Sequence, residues 1–171
     1  MRYKMLASLP VYGALPVAIP DTFYSVGFPV QFFIADGTDW VGNFAPGDTN
    51  FDGVYSFRQS ENILVIAGGS GYVIHPDSKT AVASCGSDIE NLFVLEDGRM
   101  VLHQRMSLMV FETDGTCWKT ARISWNGLKD VHVKGNVVSG LAMAYGSNYD
   151  KQWVEFRYDI DSRILTGGGY H

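Results

Sequence analysis

Apolar residues in this chain come in short runs. The stretches Gln31–Ala35, Asn62–Ala67, Gly71–His75, Asn91–Leu95, Arg99–His103, Leu108–Glu112 and Gln152–Tyr158 are rich in β-branched and aromatic residues, with Gly, Asn or Asp flanking them. Runs of this length, bounded in this way, predict β-strands. No window of eleven or more residues carries an apolar stripe at helical spacing; the best, Val82 to Asn91, is interrupted by Gly86. Residues 1–30 have a different texture, with prolines at 10, 16, 20 and 29. Proline has no N–H to give to a ladder, so this stretch is expected as extended coil or edge strand.

One corner recurs. Phe33-Ile-Ala-Asp36-Gly-Thr38, Ile74-His-Pro-Asp77-Ser-Lys79, Phe111-Glu-Thr-Asp114-Gly-Thr116 and Tyr158-Asp-Ile-Asp161-Ser-Arg163 each read as a strand ending in Asp and a small residue. Asp bonds its own backbone in tight turns and Gly accepts positive φ, so each predicts a hairpin end. The four aspartates are spaced by 41, 37 and 47 residues. A second register, Phe93 to Leu102 and Val131 to Gly140, reads as strand, turn, strand ahead of the last two corners. A period near 40 with about four strands per unit is the pattern of propeller blades. The expected fold is therefore all-β, four short antiparallel sheets in a propeller-like arrangement, with a β-sandwich or open barrel as the alternative. One domain over residues 1–171 is expected.

Composition sharpens this picture. Glycine is frequent at 19 of 171 residues, aromatics reach 13%, and charged residues are 18%, as suits a folded chain that turns often. The net charge is −5 and the 13 basic residues are scattered, which argues against nucleic acid and allows a basic protein partner. Met1-Arg-Tyr-Lys-Met-Leu-Ala resembles the basic start of a signal peptide, but Pro10, Pro16 and Pro20 interrupt the segment after it. No apolar run reaches membrane-spanning length. Cys85 and Cys117 form no Cys-x-x-Cys motif and read as reduced thiols. A cytoplasmic location without membrane contact is expected.

Four blocks stand out together: Ser8-Leu-Pro-Val-Tyr-Gly13, Trp40-Val-Gly-Asn-Phe-Ala-Pro-Gly47, Arg122-Ile-Ser-Trp-Asn-Gly127 and Trp153 to Tyr170. The set resembles a family of small bacterial proteins that carry these blocks in this order and to which no activity is attached. Asn126 stands where the family pattern leads one to expect Asp. The resemblance implies a co-linear fold and no mechanism.

Candidate chemistry is sparse. Asp48-Thr-Asn50-Phe-Asp52-Gly matches the first half of a calcium loop, but its twelfth position is Gln59 and no helix flanks it. A polar inter-strand turn is the plainer reading, with no cofactor. His75, His103, His132 and His171 show no metal-ligand spacing. The pairs Glu112/Asp114 and Asp159/Asp161 share a strand face, as a glycosidase pair does, yet each contains a corner aspartate. Ser70 in Ala67-Gly-Gly-Ser-Gly71 is followed by a strand pattern, which rules out a phosphate cradle. Of the tryptophans, Trp40, Trp118 and Trp153 fit core positions, with Trp40 also a candidate contact. Trp125 lies among Ser124, Asn126 and Gly127, turn residues that favour exposure, with Arg122 near enough to stack on it.

The leading expectation is a non-catalytic protein-binding module, monomeric or homodimeric, of the inhibitor or immunity type. Its contact residues are Trp125, Arg122, Asn126 and Trp40. The alternative is a hydrolase of saccharides or phosphoesters with a central acidic site. A converging carboxylate pocket would mark the enzyme, and an exposed Trp/Tyr/Arg patch the binder.

Overall fold

The computed structural model describes residues 2–170, so His171 lies outside the described residues. Among the described residues every regular element but one is a strand; the exception is a 3-10 turn at Pro76–Ser78. The Val82–Asn91 stretch, the best helical candidate, is strand in both halves. The chain, expected as one domain, groups into two compact units, residues 1–89 and 90–171.

In the first unit, β1 (Tyr3–Met5), β2 (Val17–Ile19), β3 (Phe28–Phe33) and β4 (Asp39–Phe44) form a sheet of order β1-β3-β4-β2. The proline-rich start thus supplies both edge strands. Pairing is antiparallel apart from β2 on β4, which is parallel. The next sheet is an antiparallel meander of β5 (Gly53–Ser56), β6 (Ile63–Ala67), β7 (Ser70–His75) and β8 (Thr80–Ser84). β6 is buried at every position and β8 exposed at every position, as befits a central strand and an edge. The edge is broken by a bulge: Val73 faces Ala83 and Ile74 faces Ala81, leaving Val82 unopposed. Ser70 opens β7 rather than a helix.

The second unit repeats the meander twice. β9 (Ile89–Val94), β10 (Met100–Gln104), β11 (Leu108–Phe111) and β12 (Cys117–Lys119) form one sheet. The other holds β13 (Leu128–Lys134), β14 (Val137–Tyr145), β15 (Lys151–Asp159) and β16 (Ile164–Gly167). The fold is all-β, built from four separate four-stranded sheets of blade type. None closes into a barrel.

In each unit the two sheets share one core. Val30, Phe32, Trp40 and Phe44 meet Val65, Tyr72 and Ile74 in the first. Phe32 and Trp40 stack at 4.6 Å, and the Trp40 indole N–H donates to the Pro76 carbonyl at 2.8 Å. In the second, Val101, Leu108 and Val110 meet Val138, Ala142, Phe156 and Tyr158. The alternation along β15, with Phe156 and Tyr158 buried and Glu155 and Arg157 exposed, turns one face to this core.

All four aspartate corners join the third and fourth strands of their sheets in chain order, β3–β4, β7–β8, β11–β12 and β15–β16, and they fall into two kinds. At Asp36 and Asp114 the carboxylate accepts from the backbone N–H and hydroxyl of Thr38 and Thr116 at 2.6–2.9 Å. The following glycines sit at φ +88° and +89°. Asp97-Gly98, between β9 and β10, repeats the turn with Gly98 at +94°. At the two Asp-Ser corners the carboxylate does not cap its own turn. Arg2 bonds Glu61 and Asp77, and Arg99 bonds Asp97 and Asp161, so an arginine ties each corner to the neighbouring sheet. Asp159, rather than Asp161, caps the last corner, accepting from the N–H groups of Asp161 and Ser162.

Hydrogen bonds to Thr38 and Thr116 hold the Asp36 and Asp114 carboxyls below their ordinary value. Asn136 and then Arg99 do the same to Asp161, and the Ser162 backbone N–H to Asp159. A depressed carboxylate contributes stability above its unfolded pKa, and that contribution disappears as pH falls through the folded value. Urea midpoints should therefore be level above about pH 5 and fall below about pH 4. Arg99→Met should lower the midpoint at pH 7 and make the acid fall shallower. A second expectation concerns backbone strain. Tyr149 occupies the glycine position of the same turn, at φ +58° between β14 and β15. Tyr149→Gly should stabilise by roughly 0.5–1 kcal/mol, and Gly115→Ala should destabilise by about 1–2 kcal/mol, both read by denaturant unfolding.

Candidate binding surface

The segment 121–127 joins β12 to β13 and is held at its centre. Ile123 is fully buried, and its carbonyl accepts from the N–H groups of Gly169 and Tyr170 at 2.8 and 3.1 Å. Ser124, also buried, accepts from Met143 N–H at 2.9 Å through its hydroxyl. Trp125 N–H donates to the Met143 carbonyl at 3.0 Å. With the interior of the segment bound to β14 and to the chain end, its polar tip must face outward.

These bonds bring distant aromatic rings together. Trp125 meets Tyr170 edge-on at 4.8 Å and Tyr145 edge-on at 5.8 Å. All three remain open to solvent, at 39%, 39% and 43% exposure. Arg122 donates through Nε to the Ser124 carbonyl at 2.9 Å and through Nη2 to the Trp125 carbonyl. Its guanidinium lies 4.6 Å from the Tyr170 ring centre and 5.4 Å from that of Trp125. The cation thus fixes the loop and the two rings at once. Trp153 is exposed as well, with Lys129 Nζ 4.2 Å above its ring, and it borders Gly127. Asn126 is exposed at the tip.

The structure therefore brings Arg122, Trp125 and Asn126 into one patch and adds Tyr145, Tyr170, Trp153 and Lys129, which sequence reasoning did not place there. Nothing local distinguishes those four. The register of β14 on β15, with Met143 opposite Trp153, brings in Tyr145 and Trp153, the register of β13 on β14 brings in Lys129, and the bonds to the Ile123 carbonyl bring in Tyr170.

Other candidate positions have structural roles. Trp40, expected among the contacts, is 4% exposed and belongs to the core. Asp48 accepts from Ser87 Oγ at 2.6 Å and Asp52 from Gly68 N–H at 2.6 Å, so the two carboxylates hold the loop against different neighbours. Asn50 lies between them, exposed. Among the described residues no group of three or more His, Cys, Asp or Glu is placed to hold a metal ion. Glu112 accepts from the Trp118 indole at 2.8 Å, so each residue of the two carboxylate pairs has a structural partner. His75 ends β7, His103 lies on β10 with Glu90 at 3.6 Å, and His132 lies on β13.

No family model matches the chain, and no curated protein does. Among solved structures it is similar to the tricorn protease, at a TM-score of 0.38 and 12% identity, over 85% of this chain and 21% of that one. The chain thus spans about a fifth of the length of that protein. No helix among the described residues is long and apolar enough to cross a membrane.

Arg122→Lys keeps the charge but loses the fork that reaches two carbonyls. It should destabilise by about 1 kcal/mol and should increase iodide quenching of tryptophan fluorescence; unchanged quenching would mean that Arg122 does not order Trp125.

Proposed function

We propose that the chain is a non-catalytic protein-binding module that docks its partner on the Trp125–Tyr145–Tyr170–Arg122 patch. The observation that carries this reading is the patch itself: one Trp and two Tyr, solvent-exposed, with a half-buried Arg that holds them from below. These residue types dominate the energetics of protein interfaces, and a pre-ordered surface loses little freedom on binding. The rival hydrolase reading needs an acidic centre, whereas its candidate carboxylates serve corners and a tryptophan.

The partner we infer is a basic bacterial protein, with the chain acting as its inhibitor or immunity factor in the cytoplasm. The acidic excess supports this. Residues 1–89 carry eight acidic and four basic side chains, against ten and nine in residues 90–171. A net charge of −5 over the chain attracts a basic partner, and the aromatic patch supplies the contact. Cys85 and Cys117 are not joined in a disulfide, which suits a reducing compartment. The bulge at Val82 on the exposed edge β8 supports a monomer, because a bulged edge pairs poorly with another strand.

Immobilised protein, incubated with native lysate, should retain one stoichiometric partner. Trp125→Ala with Arg122→Ala should weaken that complex about 100-fold, whereas Tyr24→Ser, at an exposed aromatic position in the other unit, should leave it unchanged. Lack of a stoichiometric partner at any salt concentration, or a complex indifferent to the double substitution, would overturn the reading.

A further inference from the structure

The outward face of the β13–β16 sheet carries a row of side chains unrelated to the aromatic patch. Residues directly opposite each other in an antiparallel pair point to the same face. His132 is opposite Ser139, Ser139 opposite Arg157, and Arg157 opposite Thr166. Four hydrogen-bonding side chains, one from each strand, thus form a line across the whole sheet. They line a cleft of about 610 Å³, whose floor includes the backbone of Gly140 and Gly167.

Two features set this row apart from a solvated strand face. The first is a bulge in β13. Lys129 faces Leu141 and His132 faces Ser139, so one extra residue is inserted between them. Without it Val131 would stand opposite Ser139; with it Val131 packs on the core and His132 enters the row. The bulge is accompanied by Asp130 at φ +53°, a strained conformation for a residue with a side chain. Bulges of this kind re-aim a side chain at functional sites. The second feature is the state of the donors. The Arg157 guanidinium makes no hydrogen bond or ion pair within the described residues, and neither do the hydroxyls of Ser139 and Thr166. His132 Nδ1 lies 2.9 Å from the Asp130 carbonyl. That contact leaves Nε2 free to donate to an anion as the cation, or to accept a phosphate hydroxyl proton as the neutral ring.

We propose that this cleft binds a small hydroxylated molecule bearing a single tetrahedral oxyanion, of the sugar phosphate class. Arg157 and Ser139 hold the oxyanion, and His132 flanks it from the bulge. Adjacent strands lie about 4.8 Å apart, so the row spans roughly 14 Å, longer than one phosphate needs. Thr166 and the carboxylates of Asp130 and Glu155, which line the same cleft, then meet hydroxyls of the attached polyol. Those carboxylates also repel a second phosphate, which limits the ligand to one.

The test is a titration followed by backbone amide chemical shifts, using inorganic phosphate, glucose and glucose 6-phosphate as probes. Phosphate should shift the amides of residues 132, 139, 157 and 166 saturably in the millimolar range. Glucose 6-phosphate should bind tighter than phosphate, and glucose alone should cause no saturable shift. Arg157→Gln should weaken phosphate binding at least tenfold, as loss of a charge-assisted bond implies; Lys119→Gln should not change it. A folded Arg157→Gln protein that binds phosphate as the parent does, or no saturable shift at these residues, would overturn the site. Glucose 6-phosphate binding no tighter than phosphate would overturn the polyol assignment. Partner capture through the aromatic patch is a separate readout, so either proposal can fail alone.

Discussion

Each four-stranded sheet here has one apolar face that a single layer cannot shield from water, and the rest of the structure follows from covering it. Within each unit the cover is a second sheet. Phe32, Trp40 and Phe44 close against Tyr72 and Ile74 in one, and Val101 and Leu108 close against Phe156 and Tyr158 in the other. Burial of these side chains is the main favourable term, and it sets the register of the strands, since a slip of one residue would turn every core side chain outward. The same alternation that sends Phe156 and Tyr158 inward sends Trp153, Glu155 and Arg157 outward. Core and outward surface are two faces of one constraint.

Apolar packing between sheets has little directional preference, and the corners supply it. The Asp-Gly-Thr corners are closed within themselves: carboxylate, threonine and left-handed glycine satisfy one another. The Asp-Ser corners are open, and in each unit an arginine bonds the free carboxylate from the adjacent sheet, Arg2 to Asp77 and Arg99 to Asp161. Arg99 is largely covered by protein; its bond to Asp97 raises its pKa most, burial opposes that, and the bond to Asp161 adds to the rise. It is therefore a permanent cation between two turns. Both units use the same device, although their first sheets differ in strand order.

The outward surface of the second unit is organised by pinning from within. The Ile123 carbonyl and the Ser124 hydroxyl hold a short loop and the chain end together, and the aromatic patch is the consequence. The row across the same sheet depends instead on one inserted residue in β13. Neither arrangement requires mobile parts, which suits recognition by surfaces already in place.

The residue pattern by itself determined the strand-only character of the chain, the near-40-residue period and the four corners, because these depend on neighbours within a few positions. Val, Ile and Phe runs, Asp-Gly pairs and prolines act through local sterics and local hydrogen bonds, and their meaning survives without a fold. It also pointed to Trp125 and Arg122, since a turn composition implies exposure. The division of labour between the two kinds of corner, the burial of Trp40 and the recruitment of Tyr145, Trp153 and Tyr170 were decided only in three dimensions. So was the entry of His132 into a line with Arg157. Each of these rests on strand register or on contacts between residues tens of positions apart, and a linear pattern of polarity holds no information about which strand lies beside which.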